Sequence, residues 1–433
     1  KKKFMGPDLI TLNRNSINSD KRGNIFKNYL VTEKADGERY LLYVTDDKHG
    51  YLINKKLVVK DSGKVFPKSN GEWLLDGEYI TSDKDKNKIN IYMIFDVYYA
   101  TEETLIPVHM YPFYNVKNIE HCRNDVLDGF KYLVDNSKDI NPDILPCSIY
   151  FKEYVSGNIR LNSDISKSSK ILRESKKILL RGGYKQKGDK WEYNKKYNEY
   201  LYKIDGLIYL PRDLSVGGDY YGNKPSDISG RWDYNYKWKP PEENTIDFQV
   251  EINKEKNGNR WDEKIKIYTK TENSNTIDYS YKTCKLLVGY SLHKDDINFK
   301  DIDYCMKIYD KVKEKREPRE YIKFVGKKDP WGDPCTDKGI TNITLDEGRM
   351  LTEEGELIAN GDIVEFRYNA EGENCSIWEP MRLRRDKTKP QDFKVAADVW
   401  QTIIDPITTE MIMGNTKSIH EYVNVPVLEN KED

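Results

Sequence analysis

Five short runs, YLLYV (40–44), YLINKKLVV (51–59), WLLDGEYI (73–80), INIYMIFDVYY (89–99) and CSIYFKEYV (147–155), crowd β-branched and aromatic residues between charged turns. They commit the first third of the chain to a sheet. Helical patterns are few. VKNIEHCRNDVLDGFKYLVDN (116–136) places Ile119, Cys122, Val126, Phe130 and Leu133 at spacings of three and four, as one buried helical face requires. Residues 165–180 read as helical too, and KVAADVWQTIIDP (394–406) reads as a closing helix that ends before Pro406. The stretch 212–236, rich in Gly, Asp, Ser and Tyr, reads as a long loop between two strands.

KWKPPEENTIDF then sets a proline pair before a glutamate pair, and a domain boundary is expected near residue 245. Beyond it DFQVEI, KIKIYT and DIVEFRY alternate between charged turns, the pattern of a small β-barrel. The expected division is 1–245, 246–390 and a C-terminal helical segment or linker over 391–433, in an α+β chain.

The remaining bounds are looser. At 433 residues the chain is long enough for two domains, and 37% hydrophobic with 33% charged residues describes a wet-surfaced globular protein. A formal charge of −1 gives no overall pull toward nucleic acid, so any basic surface must come from local clustering. The six cysteines form no C-x-x-C and the five histidines no H-x-H or H-x₃-H, which points to a reducing compartment and away from structural zinc. No apolar run is long enough to cross a bilayer and no signal-peptide pattern opens the sequence, so a cytoplasmic location and no membrane partner are expected. Opening on Lys1 without a methionine, the chain reads as a piece of a longer polypeptide. P-loop and G-x-G-x-x-G motifs are both missing.

Chemistry concentrates around TEKADGERY (32–40). A lysine attacks only when neighbouring cations or desolvation lower its pKa. Lys34 has strand context, a turn glycine at Gly37 and Arg39 close by. Taken alone, K-x-D-G-x-R also reads as a charged hairpin connection, because D-G is a common turn pair. Further along, Glu78 ends a strand, Asp96 follows Phe95, Asp205 precedes a second turn glycine, and Lys237 and Lys239 share one strand face. Paired lysines suit phosphate oxygens, and carboxylates at strand ends suit magnesium. Each piece has a plain alternative as a turn acid or an exposed strand face. WEPMRLRRDKTKP (378–390) reads either as a solvated basic run or as a phosphate clamp of arginine forks.

Taken in order, Lys34-Ala-Asp36-Gly37-Glu-Arg39, the Glu78 strand, Phe95-Asp96, Asp205-Gly206, Lys237-x-Lys239 and Arg382-x-Arg384-x-Asp386-Lys387 resemble the six motifs of the covalent nucleotidyltransferases: DNA ligases, RNA ligases and mRNA capping guanylyltransferases. The D-G-L-I-Y of the fourth motif and the N-T-I-D-F trailing the fifth are similar to the capping branch, in particular the multifunctional capping enzymes of large DNA viruses. The resemblance implies a nucleotidyltransferase domain of antiparallel sheets with helices, followed by an OB-fold barrel that closes over the nucleotide. It implies a lysyl-GMP intermediate on Lys34, made from GTP with a divalent metal (Mg²⁺ or Mn²⁺) and passed to an RNA 5′-diphosphate.

The same resemblance assigns the other residues. Arg39 and Glu78 would hold the ribose with Asp36 in the nucleotide site, Phe95 would stack on guanine, and Lys152 would read guanine O6, although an exposed strand lysine is an equal reading of that residue. Asp205, Asp96 and Glu78 would serve the metal, Lys237 and Lys239 the α-phosphate, and Arg382, Arg384, Asp386 and Lys387 the leaving pyrophosphate. RNA triphosphatase and cap methyltransferase domains would lie on the same polypeptide, and a viral source would place the protein in a viral factory or virion. An ATP-dependent RNA or DNA ligase is the rival enzyme, and a non-catalytic RNA-binding subunit the rival non-enzyme. Stretches 212–236 and 311–345 are insertions to which the motifs assign no role.

Overall fold

The structure, a computed structural model, describes residues 3–17, 23–101, 107–114, 121–140, 146–156, 169–188, 190–272, 275–290, 321–326 and 337–413. Period-two alternation of apolar residues drives most of these into strands. The chain divides into two compact units, Lys1–Pro240 with Ile407–Asp433, and Pro241–Pro406.

The first unit begins with β1 (Pro7–Thr11), β2 (Tyr29–Ala35), β3 (Glu38–Val44), β4 (His49–Asn54), β5 (Val59–Val65), β6 (Trp73–Ser82) and β7 (Lys88–Ala100). Helix α1 (Arg123–Asp135) and the short strands β8 (Lys138–Asp139), β9 (Ser148–Phe151) and β10 (Val155–Ser156) follow. Helix α2 (Ser169–Arg181), β11 (Gly182–Lys187), β12 (Lys190–Asn198), β13 (Ile204–Pro211) and β14 (Gly230–Trp238) complete it. Two sheets result, ordered β1-β14-β13-β2-β10 and β8-β5-β4-β3-β6-β7-β9, with β11 and β12 pairing separately. The sheets are antiparallel apart from the parallel pairs β1/β14 and β7/β9.

Strands β2 and β3 are separated by Asp36 and Gly37 alone, yet they belong to different sheets. The D-G step is therefore a crossing between sheets and not a hairpin turn. Gly37 is needed there because an added Cβ would lie 2.7 Å from the Tyr79 carbonyl oxygen and 2.9 Å from Glu78 Cγ. Strand β2 is buried on both faces: Tyr29, Val31 and Ala35 pack with α2 residues Ile171, Ile178 and Leu179, whereas Leu30 packs with Leu42, Leu75 and Phe130 of the second sheet's core.

The second unit runs β15 (Thr245–Ile252), β16 (Lys254–Asn257), β17 (Arg260–Glu263), β18 (Ile265–Glu272), β19 (Asn275–Gly289), β20 (Tyr321–Lys323), β21 (Ile340–Thr344), β22 (Ile363–Tyr368), β23 (Trp378–Leu383) and α3 (Phe393–Ile404). Its sheet order is β18-β19-β15-β22-β23, with β20 and β21 also paired to β19. The sheet curls back on itself where the Trp378 amide donates to Thr341 Oγ1 at 3.2 Å and the Trp378 indole donates to the Lys338 carbonyl at 2.9 Å. Phe248, Leu286, Phe366 and Trp378 fill the resulting small barrel, and Ala396, Val399 and Trp400 of α3 pack onto the same core. After α3 the chain returns to the first unit through α4 (Thr409–Met413), where the Trp238 indole donates to the Ile407 carbonyl at 2.8 Å and Met411, Ile412 and Met413 join the core around α2.

Several expectations shift. The run 51–59 is two strands, because Asn54 Oδ1 accepts from the amides of Lys56 and Val58 and Leu57 takes φ 61°, which turns the chain. The run 147–155 is split between the two sheets as β9 and β10. Helix α1 starts at Arg123, with Cys122 as its N-cap; Ile119, expected on its buried face, lies outside the described residues. The loop 212–236 ends at Gly230, where β14 begins. The segment set apart as 391–433 is shared: α3 belongs to the second unit and α4 to the first. Of the insertion 311–345, residues 311–320 and 327–336 lie outside the described residues. Among the described residues no helix is long and apolar enough to cross a membrane.

Candidate active site

Strand β13 opposes β2 with Ile204 against Ala35 and Leu207 against Glu33, a register shift that leaves Asp205 and Gly206 as a bulge. Gly206 takes φ +145°, and a Cβ there would sit 2.0 Å from the Trp238 carbonyl oxygen, so only glycine lets β13 approach β14 this closely. The bulge turns the Asp205 carboxylate toward Lys34. Lys34 Nζ donates to both Asp205 oxygens, at 2.9 and 3.1 Å. From β14 and the residue after it come Lys237 and Lys239, and Lys239 Nζ lies 2.7 Å from Asp205 Oδ2.

Three lysines thus surround one carboxylate that is almost inaccessible to solvent. Burial by itself would raise the Asp205 carboxyl, but Lys34 and Lys239 outweigh it and hold the group below its ordinary range. Lys237 has no ion-pair partner among the described residues; burial first, then repulsion from Lys34 and Lys239, lowers its ammonium to about 8.

Lys34 opens on a cleft of about 590 Å³, counting its mouth, that Arg39, Glu78, Phe95 and Lys152 also line. Most of the Arg39 guanidinium is engaged within the protein. Its Nε donates to Asp76 Oδ1 at 2.9 Å, its Nη1 to the Pro7 carbonyl at 2.7 Å and its Nη2 to Tyr98 Oη at 3.2 Å. Asp76 is fully buried and also accepts from the Tyr98 hydroxyl. Burial opposes the charge on Arg39, but Asp76 outweighs it and holds the guanidinium above its ordinary range. Glu78, in contrast, carries no hydrogen bond or ion pair among the described residues; burial pushes its carboxyl up against the pull of Lys152 and Lys34.

Phe95 is the extra residue where β7 bulges against β6, since Gly77 opposes Ile94 and Asp76 opposes Asp96. Its ring centroid lies 5.8 Å from Lys152 Nζ and 6.0 Å from Arg39 Cζ. Lys152 is buried, and its Nζ donates to the Glu33 carbonyl at 2.9 Å, next to the Glu33 carboxylate that accepts from Thr32 and Tyr202. Lys152 is therefore no exposed strand lysine: it braces the backbone just before Lys34.

Two expected residues remain, of which Asp96 lines the same cleft. Asp96 was expected at the metal, but Arg123 takes both its oxygens, at 2.7 and 3.1 Å, and the Val97 amide donates to Oδ1 as well. Arg123 is itself wholly buried and donates to the Tyr111 and Leu214 carbonyls. A carboxylate so engaged is a buried ion pair with a fixed arginine. Asp36 is exposed at the crossing between the sheets, and its backbone amide donates to the Lys203 carbonyl.

In the second unit, Arg384 Nη1 donates to both oxygens of the buried Asp247 at 2.8 and 2.9 Å, Lys387 pairs with the same carboxylate, and Arg384 also forks onto Asp386. Arg382 Nε donates to Glu365 at 2.7 Å. The Arg384 hydrogen bonds come first in pulling the Asp386 carboxyl down to about 2.

Residues 1–156 match the mRNA capping enzyme catalytic domain, and residues 243–413 match the mRNA capping enzyme C-terminal domain. The chain belongs to the mRNA capping enzyme family. Among capping enzymes it is 26% identical over 439 residues to a "Probable mRNA-capping enzyme" of Acanthamoeba polyphaga mimivirus, covering 94% of this chain and 33% of the relative. It is 24% identical over 263 residues to an "mRNA-capping enzyme" of Caenorhabditis elegans, covering 59% of this chain and 34% of the relative. The chain thus spans about a third of the length of these relatives. A mycobacterial DNA ligase D structure, complexed with ATP and MES, aligns over 88% of this chain and 95% of its own at 12% identity and a TM-score of 0.36, too distant to carry weight.

Within this capping-family site, the residues that sequence reasoning passed over are the acids and bases that hold the motif side chains: Asp76 for Arg39, Glu33 for Lys152, Arg123 for Asp96 and Asp247 for Arg384. Asp76 and Asp247 lie inside stretches already singled out, LLDGEY and NTIDF, but their partners are distant in sequence. Among the described residues no three His, Cys, Asp or Glu side chains cluster as a ready-made metal cage. Magnesium asks for less, one or two carboxylates and the substrate's phosphates; of the three expected carboxylates, Asp205 accepts from Lys34 and Lys239, Asp96 from Arg123, and Glu78 from no group among the described residues.

Proposed function

We propose that this chain is the guanylyltransferase of an mRNA capping enzyme, working through Lys34. The observation that carries the reading is Lys34 held on a bulged, buried Asp205 that it shares with Lys239, beside a depressed Lys237, in a chain of the capping family.

In the first step Lys34 sheds a proton along its contact to Asp205, and the freed lone pair attacks the α-phosphorus of GTP. A P–N bond forms, the bond from Pα to the bridging oxygen breaks, and pyrophosphate leaves with that electron pair. Lys237 and Lys239 balance the charge growing on the α-phosphate oxygens, and because they are already in place they need no rearrangement as the reaction proceeds. Asp205 and Glu78 would hold a divalent cation, which supplies charge neutralisation on the phosphates. Phe95, flanked by two cations, offers a ring for the base; Lys152 and Arg39 act through Glu33 and Asp76 by holding the walls.

In the second step an oxygen of an RNA 5′-diphosphate attacks the same phosphorus, the P–N bond breaks, and the lysine nitrogen takes a proton back, giving GpppRNA. The acceptor is what an RNA triphosphatase makes, and the product is what a guanine-N7 methyltransferase consumes. The cations of the second unit, Arg382, Arg384 and Lys387, are assigned to the pyrophosphate.

The test is direct. Incubated with α-labelled GTP and Mg²⁺ and then denatured, the protein is expected to carry label, and Lys34→Ala to carry none. Label from ATP in place of GTP would turn the reading to a ligase, and no label from either would end it.

A further inference from the structure

Asn235 is a residue that no motif accounts for. It sits on β14 one alternation step before Lys237, roughly 7 Å along the strand, and it lines the same cleft as Lys34, Glu78 and Phe95. It is only 8% exposed, and its carboxamide oxygen has no hydrogen-bond partner among the described residues. Leu9, Leu210, Val216 and Trp232 are among the apolar residues that line the same cleft.

A buried amide with an unmade hydrogen bond destabilises the fold that contains it, and a leucine would fill the same space at no such cost. A polar group in that position needs a partner from outside the chain. Its neighbours say which. Lys34, which lines the cleft, marks its α-phosphate end under the function proposed above, and Asn235 lines the same cleft where the nucleoside joined to that phosphate would lie. Phosphate oxygens do not fit, since they are acceptors like the unmatched oxygen itself.

We infer that Asn235 is a specificity-determining residue whose carboxamide oxygen accepts a hydrogen bond from an N–H or O–H of the guanosine. The donor is either on the base (N1–H or the 2-amino group) or on the sugar (2′- or 3′-hydroxyl). The inference rests on the nucleotidyltransferase reading of the cleft.

The experiment measures affinity for GTP, ITP, N1-methyl-GTP, 2′-deoxy-GTP and 3′-deoxy-GTP by calorimetric titration of the full chain. It is done in a Lys34→Ala background, where no adduct forms, with and without Asn235→Leu. Loss of one neutral hydrogen bond is expected to weaken GTP about tenfold. One of the four analogues should be weakened to the same extent by its own missing donor, with no further loss on Asn235→Leu; which one it is separates base from sugar. Unchanged GTP affinity in Asn235→Leu overturns the inference. So does an equal loss across all five nucleotides, which would make Asn235 a packing residue. If Asn235→Leu melts early, Asn235→Ala replaces it in the same scheme. Failure of the catalytic reading shows separately, as wild-type protein that binds GTP yet takes no label from it.

Discussion

The molecule holds two basic clusters whose charges are met in opposite ways. In the first unit Lys34, Lys237 and Lys239 gather around the carboxylate of Asp205, while Glu78 is pushed toward its neutral form by burial. In the second unit Arg382, Arg384 and Lys387 meet Glu365, Asp247 and Asp386, acid for base. The first cluster crowds three cations into a poorly solvated place, which lowers Lys237, and a polyphosphate is the natural remedy. The second is neutral at rest, so its cations must exchange an internal carboxylate for any phosphate they bind. One cluster is built to attract an anion and the other to trade for one.

Asp205→Asn should break the comparison most severely. If Asp205 both orients Lys34 and accepts its proton, the amide can do neither well, and the rate of lysyl-GMP formation in a single turnover should fall about a hundredfold or more. Were Asp205 only a counter-charge, the substitution would leave the single-turnover rate near wild type and tighten GTP instead. That outcome would remove the proton-transfer role.

Asp247→Asn probes the other side with a smaller effect. It strips Arg384 and Lys387 of a buried partner, at a cost of about 2 kcal/mol in unfolding free energy, read by urea denaturation. Adduct formation should fall about tenfold as the arginine fork loses its orientation. If stability were unchanged, the cluster would not be self-neutralised as described.

How much of this was legible beforehand differs between the two halves of each interaction. The side chains that do chemistry are local signals: Lys34 beside a turn glycine, Asp205 before another, Lys237 and Lys239 one residue apart. The alternating runs likewise located most central strands. What holds those side chains could not be read, because Arg39 meets Asp76, Arg123 meets Asp96 and Arg384 meets Asp247 only after elements distant in sequence come together. The same limit made D-G at 36–37 look like a hairpin turn: local turn chemistry cannot tell that the strands on either side enter different sheets. Asp96 shows the same limit, since a carboxylate at a strand end looks alike whether or not it already has an arginine. Loop 212–236 was drawn too long because Arg231-Trp-Asp-Tyr-Asn-Tyr alternates as a strand does, yet its composition is that of a loop.

The smallest effect tests the crowded charge itself. Lys237 titrates at about 8, against an ordinary 10.5, because it is buried among other cations. Below about pH 8 it is charged and able to serve the α-phosphate; above that it loses its proton. The rate of lysyl-GMP formation at subsaturating GTP should therefore fall with rising pH through about 8, to about half its low-pH value at the pKa and about a tenth one unit above it. Stability responds with the opposite sign. The folded protein binds fewer protons than the unfolded chain between about 8 and 10.5, so the contribution of Lys237 to unfolding free energy rises with pH across that window. Lys237→Arg keeps its charge throughout and should remove both responses, leaving a flat rate above pH 8. A limb that survives in Lys237→Arg belongs to another group, and the depressed Lys237 would then not be what limits the cluster's charge.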